Sequence, residues 1–262
     1  MLSSDNSPAG QDRYFITALS RGLDVLACFR TSDVSLTNQQ IADRCKLPKS
    51  TVTRIAYTLV KRGFLVQSEP GGGYALGSAT LALASSILGR MDIRQYARPL
   101  MQELADFAGA TLSLGVRDRL SVIYTEVVRS NAMLTLMQQV GSRVPLATSA
   151  IGRAYLVGAS QAELNAIMRM AKELDDSAAE AIREGLAHGK RDYDEYGCTT
   201  SFGEWQPDVN GIAMTFRTTG NNTVHVINCG GPSANLSKEF LLDEVRPRLQ
   251  ALVKKLEESP LA

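Results

Sequence analysis

The sequence predicts an α+β chain of two domains: a small helical module carrying a β-hairpin, then a larger domain of mixed sheet and helix. Three observations lead there. A chain of 262 residues suits two domains. Helical periodicity runs through the first sixty residues and gives way to short alternating stretches, with a second such change after residue 110. Charge is uneven: residues 1–90 hold 10 Lys+Arg against 6 Asp+Glu, whereas residues 91–262 hold 18 against 21. A small basic module therefore precedes a larger, slightly acidic one, an asymmetry that points the first at a polyanion.

Within the first module, "YFITALSRGLDVLACF" places Ile16, Leu19, Leu23, Leu26 and Ala27 at helical spacing, an amphipathic first helix. Thr37, with Gln40 three residues later, has capping-box spacing. Ile41, Ala42 and Cys45 then give a short helix ending near Leu47, because Pro48 cannot continue it. Pro48 and Ser50 open a third helix, proline suiting a first turn and serine a cap. Val52, Ile55, Ala56, Leu59 and Val60 face inward, leaving Lys49, Ser50, Thr51, Thr53 and Arg54 at its exposed start. From Arg44 to Arg62 there are six cationic side chains and no acidic one. Gly63 ends the helix, and "FLVQSE" and "YALG" alternate like two strands around "PGGG".

Two short helices across a tight turn, the second basic at its start and followed by a hairpin, form a winged helix-turn-helix. The second helix fits the major groove of double-stranded DNA. Thr51, Thr53 and Arg54 are the candidate base readers. Lys49 and Ser50 are candidate phosphate contacts at a helix start that favours an anion, and Arg21 and Tyr74 join the DNA-facing set. The glycine tip of the hairpin would lie in a minor groove or along phosphates. Counterion release then explains why positive charge gathers on one helical pair of a near-neutral chain. The alternative is a small bundle with merely solvated cations. A nucleotide phosphate loop is excluded, since "GGG" lies between short strands and no G-K-[ST] follows.

"SATLALASSILGRMDIRQYARPLMQELADFAG" reads as helix, with Ser78 as a cap and Gly89 and Pro99 as candidate breaks. Its small apolar start, with Leu81, Leu83, Ile87 and Leu88, suits a linker helix that pairs with a second subunit. "TLSLGVRDRLSVIYTEVV" alternates around "RD" as strand, turn and strand. "NAMLTLMQQVGSRVPLATSAIGRAYLVGAS" begins strand-like and becomes a helix capped by Thr148 or Ser149. "QAELNAIMRMA" and "DSAAEAIREGLAHG" are helices. "YDEYGCTTSFGEW", "VNGIAMTFRT" and "NNTVHVINCGG" are strand-like, with "TGNN" a tight turn. "LSKEFLLDEVRPRLQALVKKLE" is a closing helix. A sheet of five or six strands flanked by helices follows. The boundaries are residues 12–76 for DNA, 77–91 for the linker and 92–262 for a sensor.

No enzyme is expected. The only histidines are His188 and His225, and no G-x-S-x-G, H-E-x-x-H or paired-carboxylate motif occurs. No catalytic residue, metal site or cofactor is assigned. Cys28, Cys45, Cys198 and Cys229 lie far apart in sequence, which suggests reduced thiols in the cytoplasm. No apolar run is long enough for a membrane span, and "MLSSDNSPAGQD" lacks the apolar stretch of a signal peptide.

Several stretches resemble the IclR family of bacterial transcription regulators. "ALSRGLDVLACF" resembles its first helix, "QQIADRCKLPKSTVTRIAYTLVKRGFL" its helix-turn-helix and "GGGYALG" the end of its wing. "VGSRVPLATSAIGRAYL" and "YGCTTSFGEWQPDVNGIAMTF" resemble its two effector-domain signatures, and "INCGGP" its final sheet strand. The resemblance implies a profilin- or GAF-like effector-binding domain and a homodimer or dimer of dimers on a palindromic promoter site. It also implies a small effector, often an organic or aromatic acid. Carried over by motif, the effector residues are Met133, Leu136, Ala150, Ile151, Gly152, Ser201, Gly211, Ile212, Asn228, Cys229 and Gly230. The start of the helix at Ala150 would hold a carboxylate. Glycine at 211 and 230, where family members binding very small acids offer polar side chains, implies a larger or flatter ligand, such as an aromatic carboxylate. The expected function is a ligand-responsive regulator of a catabolic operon. The rivals are a redox regulator using Cys198 or Cys229, and a small-acid enzyme with an accessory DNA-binding module.

Overall fold

A computed structural model describes residues 14–30, 32–67, 72–88, 92–131, 138–218 and 221–259. The chain divides into two compact units between Leu88 and Gly89.

The first unit holds α1 (Thr17–Ala27), α2 (Asn38–Cys45), α3 (Lys49–Lys61), β1 (Leu65–Gln67), β2 (Tyr74–Leu76) and α4 (Ser78–Leu88). Thr37 caps α2 with both hydrogen bonds of the capping box, to and from Gln40. Lys46 then takes a left-handed φ of 53°, and the chain turns into α3. Pro48 is the residue before α3, and its carbonyl accepts the Thr51 and Val52 amides. Ser50 therefore lies inside the first turn and is not the cap: proline's fixed φ already starts the helix. Val25, Phe29, Leu36, Ile41, Ala42, Val52, Ala56 and Leu65 form the core.

The inward face expected for α1 is corrected. Ile16, Leu19 and Leu23 are 64%, 58% and 57% exposed, while Val25 and Phe29 take the core positions. The helix carries apolar residues on more than one side, and α2 and α3 cover only one of them. The β1–β2 hairpin pairs Leu65 with Leu76, and Tyr74 exchanges backbone hydrogen bonds of 2.8 Å with Leu36. The wing tip, residues 68–71, lies outside the described residues. In α4, Leu81 and Leu83 are 68% and 59% exposed.

The second unit begins with α5 (Asp92–Ala108). Pro99 sits inside α5 without ending it. Ile93, Ala97, Met101, Leu104, Ala105 and Ala108 stay buried along the helix, and that burial outweighs one lost hydrogen bond. There follow β3 (Thr111–Asp118), β4 (Ser121–Arg129), β5 (Arg143–Pro145), α6 (Ala150–Gly158), α7 (Gln161–Leu174) and α8 (Asp176–Tyr196). Next come β6 (Thr199–Phe202), β7 (Val209–Thr218) and β8 (Asn221–Pro232). α9 (Lys238–Phe240) runs through a wide π turn (Leu241–Val245) into α10 (Arg246–Glu257). "YDEY" ends α8 instead of starting a strand, and Gly197, at φ 70°, stops the helix.

The six strands are antiparallel, in the order β5-β4-β3-β8-β7-β6. One face is packed by α5, the π turn and α10. The other is packed by α6, with α7 and α8 joining the same core. A register shift opposite Leu114 and Gly115 leaves Thr125 as an extra residue in β4. It sends Tyr124 to the α6 face, while Glu126 meets Arg94 and Arg98 of α5 at 3.1 and 2.7 Å.

Candidate functional site

In the first unit, Lys49, Ser50, Thr53 and Arg54 are exposed at the start of α3, and Thr51 is half-buried. Lys49 and Arg54 form no ion pair among the described residues. The Thr53 hydroxyl donates to the Lys49 carbonyl at 2.9 Å and accepts from Asn38 Nδ2 at 2.8 Å, so it ties α2 to α3. Arg44 is withdrawn from the cationic set: its guanidinium bonds both Asp33 oxygens and the Cys28 carbonyl. That contact lowers the Asp33 carboxyl to about 2. Arg21 is exposed on α1. Tyr74 is half-buried with its ring against the core, where it supports the wing. Leu19 and Leu23 of α1, Tyr57 of α3 and Leu83 of α4 line an apolar groove of about 1010 Å³.

In the second unit, strand alternation decides which residues share a face. Leu112, Leu114, Ile212, Ile227 and Cys229 belong to the core under α5 and α10. Two of the expected effector residues, Ile212 and Cys229, are therefore corrected: they point away from the face that carries Asn228 and α6. A run of adjacent residues in a strand cannot line one pocket, because every second side chain crosses the sheet.

The α6 face holds two transverse rows. In the first, Ser201 is opposite Gly211, Gly211 opposite Gly230, and Gly230 opposite Thr111. In the second, Thr199 is opposite Ala213, Ala213 opposite Asn228, and Asn228 opposite Ser113. Two glycines thus leave a bare patch between two hydroxyls, three inter-strand spacings or about 14 Å apart. Thr111 and Asn228 are 2% and 9% exposed. Thr111 Oγ1 and Asn228 Oδ1 are buried with no hydrogen-bond partner among the described residues. The Tyr124 hydroxyl neighbours Ser113 and Asn228, and burial raises its pKa. Thr111, Ser113 and Tyr124 were not anticipated. The polar alternation of "TLSLG" against its leucines is the signal that marks Thr111 and Ser113, while Tyr124 of β4 has none.

α6 closes the rows at the β6 side. Thr199 Oγ1 donates to the Ala150 carbonyl at 2.7 Å, and Ser201 Oγ to the Thr148 carbonyl at 2.9 Å. Ser149 is the cap, its hydroxyl accepting the Gly152 amide, so Ala150 and Ile151 carry the first-turn amides that α6 itself leaves unused. Ile151 is buried in the core. Gly152 is there for packing: an added Cβ would lie 2.3 Å from the Pro145 carbonyl oxygen. Arg153, also buried, donates to the Ala147 and Thr200 carbonyls and to Glu204 at 3.0, 2.9 and 3.0 Å. The glutamate of "GEW" is thus the anchor of an α6 arginine. Met133 and Leu136 lie outside the described residues. His225 is stacked on Phe216, on the α5 and α10 side. Cys198 and Cys229 are fully buried, and burial pushes both thiols up to about 12, away from the thiolate form.

Known proteins agree with this two-part layout. Residues 18–69 match the IclR helix-turn-helix domain, and residues 85–258 match the bacterial transcriptional regulator IclR C-terminal domain. The HTH-type transcriptional regulator TsaQ1/TsaQ2 of Comamonas testosteroni is 32% identical over 245 residues, 92% of this chain and 87% of that protein. The crystal structure of an IclR family transcriptional regulator from Brucella abortus is 42% identical with a TM-score of 0.80, covering 94% of this chain and 92% of that one. An IclR homologue from Microbacterium hydrocarbonoxydans, complexed with 4-hydroxybenzoate, shares the fold at 21% identity and a TM-score of 0.67, over 92% and 97% of the two chains. These relatives are regulators and not enzymes. The chain belongs to the IclR family: it is a bacterial transcriptional regulator with an N-terminal helix-turn-helix for DNA and a C-terminal domain for a small-molecule effector.

Proposed function

We propose that this regulator controls a catabolic operon in response to a small organic acid with a flat body, such as an aromatic carboxylate. The bare patch over Gly211 and Gly230, flanked by Ser201 and Thr111, carries the reading. A ring lies flat where no side chain projects. The unpaired Thr111 and Asn228 oxygens take its polar groups, and a carboxylate meets the amides of Ala150 and Ile151 at the α6 N-terminus. The effector acts only through a difference in affinity between DNA-competent and incompetent arrangements. Residues 12–76 read DNA, 77–91 link and pair, and 92–262 sense. The protein works in the cytoplasm, on a palindromic promoter site, as a homodimer or dimer of dimers. The exposed leucines of α1 and α4 are the apolar surface for pairing, and two half-sites require two modules.

A thermal-shift screen against small organic and aromatic acids, with 4-hydroxybenzoate as the first probe, tests the sensor. A ligand at 100 times its dissociation constant stabilises by roughly 2.7 kcal/mol, a shift of a few degrees. No shift with any acid would refute the acid assignment. On the DNA side, Arg54→Ala is expected to cost about 1–3 kcal/mol of promoter affinity. Unchanged binding in a gel-retardation titration would remove Arg54 from the base readers.

A further inference from the structure

The polar side chains of α3 are not equally available to DNA. The Thr53 hydroxyl gives its proton to the Lys49 carbonyl and accepts from Asn38 Nδ2, and the Thr58 hydroxyl donates to the Arg54 carbonyl at 3.0 Å. Thr51 is half-buried on the side that faces α1. Ser50, Arg54, Tyr57 and Lys61 remain, all exposed, Tyr57 at 65%. At roughly 100° per residue they fall within about 60° of arc, opposite the buried Val52 and Ala56. Their polar ends meet no hydrogen-bond partner or carboxylate among the described residues, and α3 contains no acidic residue. The Lys61 ammonium stands over the Tyr57 ring, 5.7 Å from its centre.

We propose that Tyr57 is a base-reading residue, its ring packed on the C5 methyl of a thymine in the major groove, and that Lys61 holds a phosphate beyond it. This rests on α3 being the helix that enters the groove. At roughly 1.5 Å per residue, Ser50 to Tyr57 covers about 10 Å of helix, the length of about three base-pair steps. Tyr57 stands at the far end of that stretch, one turn past Arg54, and meets the base edges next to those that Arg54 reaches. A thymine suits it, because its methyl is the apolar group that the major groove exposes and the ring gains by covering it. Packing does not account for Tyr57: its ring is no part of the core of the first unit. The ring holds the Lys61 ammonium in place without neutralising it. The charge is left for a phosphate, with release of a counterion.

Tyr57 also borders the apolar groove that Leu19, Leu23 and Leu83 line. The rival role is therefore in pairing with a second copy, and the two roles predict different losses. Truncating a base reader removes affinity for one sequence over another. Truncating a pairing residue weakens binding to every sequence alike.

In the test, the full-length protein and its variants select sites from a library of random double-stranded DNA, and the enriched site is titrated with thymine or uracil at each position. Wild type is expected to enrich a thymine whose replacement by uracil weakens binding about fourfold. Tyr57→Ala should lose that preference and the uracil penalty at a melting temperature near wild type, and Tyr57→Phe should keep both. Lys61→Ala should bind all sequences more weakly and lower the slope of log affinity against log salt by about one. A Tyr57→Ala protein that still selects the thymine, or that weakens equally on every sequence, would overturn the assignment of Tyr57. An unchanged salt slope in Lys61→Ala would overturn that of Lys61. Arg54→Ala, run beside them, separates this proposal from the reading of α3 itself. A loss in Arg54→Ala with none in Tyr57→Ala defeats the proposal alone, whereas no loss in any α3 variant means that another element reads the DNA and defeats both.

Discussion

The two faces of the six-stranded sheet are made by the same strands and differ completely in chemistry. Towards α5 and α10 the strands present Leu112, Leu114, Ile212, Ile227 and Cys229, a core of apolar side chains whose one unpaired buried side-chain atom contributed by β8 is His225 Nδ1, further along the strand, among the described residues. Towards α6 they present Thr111, Ser113, Ser201 and Asn228 around two bare glycines, and leave two buried oxygens unpaired. A buried polar atom without a partner costs about 1–3 kcal/mol, so Thr111 and Asn228 lower the stability of the ligand-free fold. On the proposed reading, one face keeps the domain folded and the other keeps a place for a ligand. A single position along β7 or β8 decides which of these a residue serves.

The contrast can be broken most forcefully at Gly152. Its replacement by alanine drives a Cβ against the Pro145 and Leu146 backbone, 2.3 and 2.5 Å away. A destabilisation of about 3 kcal/mol is expected in urea unfolding, and a melting point equal to wild type would show that α6 sits further from the β5 end than described. On the core face, Cys229→Ser puts a hydroxyl among aliphatic neighbours and should cost about 1–3 kcal/mol. Its ligand-induced thermal shift should match that of wild type in size. On the α6 face, Thr111→Val removes an unpaired hydroxyl at nearly constant volume. Calorimetry should find the ligand-free protein unchanged or more stable by about 1 kcal/mol, with ligand affinity reduced. A marked loss of stability would mean that the Thr111 hydroxyl has a partner of its own. The gentlest change is Gly230→Ala: the new Cβ lies 3.1 Å from the Asn210 carbonyl oxygen and 3.5 Å from Asn228 Nδ2. It should leave the melting point within about 1 kcal/mol while discriminating against ring-bearing acids in a competition assay.

Much of this architecture is legible in the chain itself. Thr37 and Gln40 announce the start of α2, Pro48 separates α2 from α3, and the alternation of "TLSLGVRD" and "SVIYTEVV" gives β3 and β4, although the turn expected at "RD" falls instead at Arg119 and Leu120, because Arg117 and Asp118 still pair with Val122 and Ser121. The failures have physical causes. The apolar residues of α1 could be assigned to a helix but not to a face, since Ile16, Leu19 and Leu23 look the same whether a neighbour covers them or not. Pro99 reads as a break because the burial that holds α5 together comes from strands far along the chain. Motif likeness brought Asn228, Cys229 and Gly230 forward as a block, and only the pleat separates Cys229 from its neighbours. Thr111 and Ser113 went unnoticed because two hydroxyl residues in an alternating strand are ordinary until the opposing strand contributes glycine and asparagine. That Cys45 of α2 reaches the Asp24 carbonyl in the last turn of α1 has no local signature at all: it depends on how α1 crosses the end of α2.

The most direct test of the central claim, that the effector lies on the α6 face, is one thermal-shift panel run on three proteins: wild type, Asn228→Ala and Cys229→Ala. The account predicts an acid that raises the melting temperature of wild type and of Cys229→Ala by the same few degrees and leaves Asn228→Ala unmoved. A shift that survives in Asn228→Ala and disappears in Cys229→Ala would place the ligand on the other side of the sheet and contradict it.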